Sequence, residues 1–394
     1  MPNTPVILSA ARTPIGKFLG GLAPLSAPEL AAIPMRAAIQ RAAVAPREIN
    51  EVILGNVVSA GNGMAIARNA ALQAGLPDTI SAYAVNKVCG SSLQAVMLAA
   101  QSIKAGDNSV VLAGGTESMS NAPFLLRKAR SGLGYGHAKL EDSLLTDGLE
   151  CCVEKWHMGN AAEHIARRFD ISREAMDRFA LDSQKKAVAA MEAGKFKAEI
   201  VPVEIKQKKG AALVIDRDEG PRADSSLEKL SALKPAFETD GRVTAGNASA
   251  LNDGAAAVVV ADEKWAAASN KKPLARILSY TTSGVPPKDI FHAPALAVPD
   301  AIQRAGLKAD DIDLYDLNEA FAAQMLANLK VLGTDPAKVN IHGGAIALGH
   351  PLGASGARCL TTLIYALIDR NKRYGCVALC LGGGNAVAMV IERL

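Results

Sequence analysis

Short apolar runs alternate along this chain with longer stretches whose apolar residues recur every three or four positions. The runs are VILSA near the N-terminus, EVILGNVV (51–58), NSVVLAGG (108–115), AAAVVVAD (255–262), LARILSY (274–280), IDLYDLN (312–318), CVALCLGG (376–383) and AVAMVIER (386–393). Continuous apolarity over so few residues marks strands covered on both faces. The longer stretches include SSLQAVMLAAQSIKAG (91–106) and GASGARCLTTLIYALIDR (353–370). In the first, Leu93, Val96, Met97, Ala100 and Ile103 share one helical face, and Gly106 reads as the stop. Pro34 falls inside a helix-like run over 26–43 and is expected to kink or restart it. The alternation predicts α/β layers around a mainly parallel sheet.

Two stretches echo each other. Cys89 opens a helix that runs to Gly106 and is followed by NSVVLAGG and TESM; GHPLGASGAR opens a helix that runs to about Asn371 and is followed by GCVALCLGGG and NAVAM. Helix, strand, paired glycines and returning strand come in the same order, which predicts two related halves over 1–120 and 275–394. The stretch 121–250 differs. It holds the charge runs RKAR (127–130), EIKQKK (204–209) and DRDEGPR (216–222) and two amphipathic stretches, 159–170 and 172–193, the second starting at Ser172. It is expected to be an inserted loop domain, with 251–274 returning to the first half.

Composition narrows the classes. A length of 394 residues suits two or three domains. Aromatics make up only 4%, so small residues must line closely packed layers. The net charge of +4 is too small to suggest nucleic acid as a partner. No apolar run is long enough to span a bilayer, and the N-terminus lacks a charged region followed by a long apolar one. A cytoplasmic location with no membrane partner is the expectation. The cysteines (Cys89, Cys151, Cys152, Cys359, Cys376 and Cys380) form no Cys-x-x-Cys pair, and no histidines sit at zinc spacing, so neither a metal nor a disulfide framework is expected.

Four segments carry candidate chemistry. In NKVCGSS (86–92), Cys89 sits where a strand ends and a helix begins, where free N–H groups and the helix dipole favour a thiolate. In HGGAIALGHPLGASGAR (342–358), His350 is framed by Gly349 and Pro351 just before a helix and can activate a thiol; His342 is the weaker candidate. In CLGGGNA (380–386), Cys380 ends a strand and three glycines follow it. In NEAFA (318–322), Asn318 ends a strand; a helix cap is its ordinary role, but a capping Asn can also present its amide to a ligand. Two thiols, an imidazole and an amide, with backbone oxyanion donors and no metal, point to acyl transfer through a thioester.

At this point the sequence resembles the thiolase family, in its biosynthetic acetyl-CoA C-acetyltransferase branch. The resemblance is carried in order by ARTPIGKFLGG, NKVCGSSLQAVMLAAQSI, GGTESMSNAPF, DGRVTAGNASALNDGAAA, NEAFAA, GGAIALGHPLGASGAR and CLGGGNA. It implies a layered α-β-α-β-α fold of two related mixed-sheet halves plus the loop domain. It also implies condensation of two acetyl-CoA through an acetyl-cysteine, with coenzyme A and acetyl-CoA as substrates and no resident cofactor. Cys89 would be the nucleophile, His350 its base, and Cys380 the acid and base at the α-carbon. Asn318, through a water, and His350 would hold the enolate oxygen; the N–H groups of Cys89 and Gly382 would hold the tetrahedral one. Leu149, His157, Met158, Arg222, Leu233, Phe237, Ala245 and Ser249 match positions that line the CoA path. A homo-oligomer, dimer or tetramer, is implied as well.

The chain departs from the family pattern at Ser92, Lys229, the loop 127–142 and the segment DIFHAPALA (289–297), where Ile290 replaces a usual Met. Thiolysis of longer 3-ketoacyl-CoAs is therefore a second reading. A non-catalytic acyl-CoA or lipid binder is a third, although it should have lost one of the four reactive residues. A ketoacyl synthase usually has His in place of the second Cys, which Cys380 opposes.

Overall fold

The computed structural model describes residues 3–208 and 210–394. Five strands come from the first part of the chain: β1 (Pro5–Arg12), β2 (Glu51–Gly55), β3 (Ser81–Val85), β4 (Val110–Ser118) and β5 (Asn252–Asp262). Four come from the last part: β6 (Ala275–Gly284), β7 (Leu314–Leu317), β8 (Tyr374–Leu381) and β9 (Asn385–Arg393). They line up as β7-β8-β9-β6-β1-β5-β4-β2-β3, with the short strand Gly16–Lys17 added on β5.

The order repeats. In β2-β4-β5-β1 the first pair is parallel and the next two antiparallel, and β7-β8-β9-β6 follows the same sequence of pairings. The two sets meet at a seam of only two residue pairs, Val6↔Arg276 and Ile7↔Ala275. The duplication read from the sequence is thus a repeat of topology. The expectation of a mainly parallel sheet is corrected: β8 turns straight back into β9, and β5 returns antiparallel to β4, so the sheet is mixed.

Helices α3 (Ser91–Ala105) and α8 (Ser355–Asp369) lie between the two sheet halves. They share one core with Ile53, Val111 and Val258 on one side and Ile277, Val377 and Met389 on the other. Outside the first half, α1 (Ala27–Ala42) and α2 (Ile66–Gln73) pack Met35, Ile39 and Ala70 against Leu54, Leu112 and Val259. Outside the second, α6 (Pro294–Arg304) packs Val298 and Ile302 against Tyr315, Cys376 and Val390. Strands covered on both faces explain the continuous apolar runs: every residue of β4 and β5 is buried. Small residues make the middle layer thin enough. A Cβ on Gly55 would come within 2.4 Å of Ser92 N, and one on Gly356 within 2.5 Å of Leu93 N.

Helices α4 (Met158–Arg168) and α5 (Arg173–Glu192) form a separate cluster with α7 (Ala322–Leu332), through Ile165, Met176, Ala180 and Ala323. Ser172 caps α5 as the sequence suggests, its Oγ accepting from Ala175 N at 3.1 Å. Two other expectations are corrected. Helix α1 runs through Pro34 without restarting, because Ala31, Met35 and Ala38 are held against the sheet and outweigh the lost backbone bond. The strand expected over 51–58 stops at Gly55, because the backbone N–H groups of Val57 and Val58 turn to the Glu117 carboxylate. The edge strand β3 has no counterpart among the apolar runs, since Ser81, Tyr83 and Ala84 are exposed. No helix among the described residues is long and apolar enough to cross a membrane.

Candidate active site

The N-terminal ends of α3 and α8 meet where the two halves join. Ser92 Oγ accepts from Ala357 N at 2.9 Å across that junction. Cys89 sits one residue before the α3 cap, Gly90. The turn that presents it is held by short side chains: Val88 N donates to Asn86 Oδ1, Lys87 N donates to Ser91 Oγ, and Ser91 Oγ donates to Val88 O. Val88 itself has φ = 45°, a left-handed conformation that costs a β-branched residue roughly 1–3 kcal/mol. Gly90 lets the turn touch the second half, since a Cβ there would lie 2.3 Å from Leu381 Cδ2.

His350 is buried and fixed at three points. Its backbone N donates to Asn252 Oδ1 at 2.9 Å. Its Nδ1 lies 2.6 Å from Ser355 Oγ. Its Nε2 lies 3.3 Å from Asn318 Nδ2. Asn318 is also buried, and its Oδ1 faces Cys359 Sγ at 3.8 Å. Neither Ser355 nor Asn252 was singled out in the sequence. Both lie in motifs quoted for the resemblance, but their contacts to His350 span 5 and 98 residues and leave no periodic trace.

Cys380 is the penultimate residue of β8, and the Gly382–Gly384 turn follows, with Gly383 and Gly384 at φ of 83° and 88°. The backbone N–H groups of Cys89 and Gly382 act to lower the Cys89 thiol. Even so, the thiolate expected from the helix start is not the resting form. Burial pushes the Cys89 thiol up to about 12, and the Glu117 carboxylate adds to the rise against the two N–H donors. Burial also holds Cys380 well above the ordinary thiol range, with Cys89 nearby adding to it. The His350 imidazole is pushed down to about 3 by burial, with the Arg358 guanidinium contributing. The resting site is therefore two thiols and a neutral base. No cluster among the described residues could hold a metal.

A cavity of about 440 Å³ opens onto these groups. Cys89, His350, Cys380 and Gly382 border it, together with Leu149, His157, Met158, Arg222, Phe237, Ala245 and Ser249. The remaining candidate from the sequence, Leu233, is not on its lining; its side chain lies beside Gly246 and is partly exposed. His342 is away from the site, buried edge-on to Phe196. The walls are built from the loop segment. His157 accepts from Gly159 N at 2.9 Å and stacks on Phe237 with ring centres 4.8 Å apart. Phe321 meets both Phe237 and Phe291 edge-on. Ile290 and Phe291, from the segment that departs from the family pattern, line the same cavity.

Comparison with known proteins identifies the family. The family described as "Thiolase, N-terminal domain" matches residues 5–264, and "Thiolase, C-terminal domain" matches 271–393. The acetyl-CoA acetyltransferase of Escherichia coli (strain K12) is 53% identical over 390 residues, 99% of each chain. That of Cupriavidus necator is 51% identical over 98% of this chain and 99% of its own. The crystal structure of the Bacillus anthracis acetyl-CoA acetyltransferase superposes with a TM-score of 0.98 at 42% identity, covering 100% of this chain and 99% of that one. With both domains matched in sequence and the whole fold matched in structure, the chain belongs to the thiolase family.

Proposed function

We propose that this chain is an acetyl-CoA C-acetyltransferase, joining two acetyl-CoA into acetoacetyl-CoA and free CoA, and running the reverse. The support that carries this reading is the convergence of Cys89, His350, Cys380 and Gly382 on one apolar cavity, with Asn318 against His350. The Cys89 sulfur attacks the thioester carbon while His350 Nε2 takes the thiol proton. The Cys89 and Gly382 N–H groups hold the tetrahedral oxyanion. As the intermediate collapses, the CoA sulfur leaves with the Cys380 proton, so His350 is left protonated and Cys380 as thiolate. That thiolate removes a proton from the α-carbon of the second acetyl-CoA. The enolate oxygen is held by His350 Nε2–H and by a water on Asn318. The new carbon–carbon bond forms at the acetyl-cysteine carbonyl, Cys89 leaves, and His350 returns its proton. Two oxyanions at different places need two donor sets, and this arrangement supplies both.

In this reading the chain divides as 1–120, 121–250, 251–274 and 275–394, and the segment 121–250 carries most of the CoA path. The His157–Phe237 stack and Met158 face the pantetheine, Ser249 hydrogen-bonds it, and Arg222 meets the nucleotide end. The enzyme works in the cytoplasm as a homo-oligomer. The edge strand β3 leaves one side unpaired and carries the exposed Tyr83, which suits two-fold pairing with a second copy. The hairpin of Phe124–Leu126 and Leu140–Asp142, with Phe124, Leu133, Tyr135 and Leu140 exposed, suits a tetramer contact. Light scattering that finds a monomer at micromolar concentration would remove that part.

A degradative preference for longer 3-ketoacyl-CoAs is the second reading, favoured by the apolar Ile290–Phe291 wall. The deciding experiment incubates the protein with radiolabelled acetyl-CoA and maps the label. Label at Cys89, with faster CoA-dependent cleavage of the four-carbon than of the eight-carbon ketoacyl-CoA, is expected. An unlabelled Cys89 refutes acyl transfer; a faster eight-carbon substrate moves the chain to the second reading.

A further inference from the structure

The segment GGTESMS places Glu117 near the end of β4, and none of the catalytic steps above uses it. Its side chain is fully buried. One carboxylate accepts four donors: Val57 N at 3.1 Å, Val58 N at 3.1 Å, Asn56 Nδ2 at 2.9 Å and Gly353 N at 2.8 Å. The first three belong to the segment that leaves the sheet after β2. The fourth belongs to the turn that follows His350 and leads into α8. Val57, Val58 and Leu352 in turn pack with Val88 and Cys89. A single side chain therefore grips the nucleophile side and the base side of the site together.

The surroundings leave it no slack. A Cβ on Gly353 would lie 2.5 Å from Thr116 O and 2.9 Å from Glu117 Oε2; one on Gly115 would lie 2.0 Å from Gly353 O. The carboxylate cannot move without dragging one of the two arms. Packing alone does not call for a carboxylate. All four donors are neutral and burying a charge is costly, but an apolar filler of similar volume would leave the N–H groups of Val57, Val58 and Gly353 and the Asn56 amide without this acceptor. What an apolar filler cannot do is accept from two separate turns at once.

We propose that Glu117 is a positioning residue for acyl transfer, setting the separation between the Cys89 turn and the His350 turn. The role rests on the acyltransferase reading above. It acts through the geometry of its two arms and touches no substrate. A displacement of about 1 Å between nucleophile and base can slow a reaction on the order of 100-fold, so loosening one arm should appear in the acylation rate and not in substrate binding.

The test compares wild type with Glu117→Gln, Glu117→Asp and Asn56→Ala. Rapid quenching with radiolabelled acetyl-CoA reads the Cys89 acylation rate, steady-state kinetics read KM, and thermal melts read the fold. Glu117→Gln, which turns an amide NH2 toward N–H donors, is expected to slow acylation about 10- to 100-fold with KM unchanged. Glu117→Asp keeps the charge but is too short to span both arms, and is not expected to rescue. Asn56→Ala removes one of the four hydrogen bonds to Glu117, together with the Asn56 bond to Thr116 O, and is expected to slow acylation about 2- to 10-fold. A merely structural Glu117 would lower the melting temperature and leave the folded variants acylating at the wild-type rate, which overturns the proposal. If Glu117→Gln does not fold, wild-type acylation by Asn56→Ala overturns it alone. A wild-type chain that takes no label defeats the acyl-transfer reading and this role together; a labelled wild type with unaffected variants defeats Glu117 only.

Discussion

Ser355 Oγ lies 2.6 Å from His350 Nδ1, and its own hydrogen is committed to Pro351 O at 2.8 Å. The hydroxyl can therefore only accept from the ring. That places the imidazole proton on Nδ1 and makes Nε2 the acceptor, facing Asn318 Nδ2 at 3.3 Å, that can take the Cys89 proton. Ser355→Ala should lower kcat about tenfold, the loss of one orienting hydrogen bond of about 1.4 kcal/mol, while KM for acetyl-CoA stays put. An unchanged kcat would mean that another contact sets the tautomer.

The two thiols should separate cleanly. Cys380→Ala is expected to block condensation while Cys89 still becomes acetylated, more slowly without the Cys380 proton for the leaving CoA sulfur, because the α-carbon base is needed only in the second half-reaction. Cys89→Ser should lose both, since a hydroxyl is a far weaker nucleophile at this position. Mass spectrometry of the acyl-enzyme and a coupled condensation assay distinguish the cases. Condensation by Cys380→Ala at the wild-type rate would reassign the second acid–base group.

Burial lowers His342 to about 4 and His350 to about 3. Below pH 6.5 the unfolded chain takes up protons at these sites that the folded chain does not. Their contribution to stability is therefore full above pH 6.5 and is lost as pH falls toward 4 and then 3, at up to about 1.4 kcal/mol per pH unit for each histidine. Glu117, raised to about 7 by burial, works in the opposite sense: its contribution is full below the ordinary carboxylate range and is lost as pH rises through 7. The whole-protein curve is a sum of such opposed effects, so a single substitution isolates one of them. His342→Gln should flatten the dependence of melting temperature on pH between 6.5 and 4 relative to wild type; identical slopes would contradict the assignment.

Gly159 opens space for the cavity wall. A Cβ there would lie 2.3 Å from the Phe237 ring, which stacks on His157. Gly159→Ala must displace that stack, at a cost of about 1–3 kcal/mol. KM for acetyl-CoA should rise about tenfold or more, with a smaller change in the rate of Cys89 alkylation by iodoacetamide. Equal loss in both would place the damage at the nucleophile and not on the CoA path.

Much of this was legible along the chain. The buried strands announced themselves as continuous apolar runs, and the repeat as two stretches with the same order of elements. Cys89, His350, Cys380 and Asn318 could be picked out because each sits at the end of a strand or the start of a helix, where backbone groups are free. The strand β3 leaves no such apolar run because three of its five residues, Ser81, Tyr83 and Ala84, are exposed.

By itself the sequence determined the local elements and the kinds of reactive group, because periodicity and turn chemistry act over a few residues. Tertiary structure decided the rest. It brought Asn252 under His350 and joined Glu117 to both Val57 and Gly353, contacts between residues 98, 60 and 236 positions apart. It also reversed the expected state of the nucleophile. A helix start lowers a thiol's pKa only where the dipole outweighs desolvation, and enclosure between two halves of the fold, which no local pattern records, tips Cys89 toward the thiol.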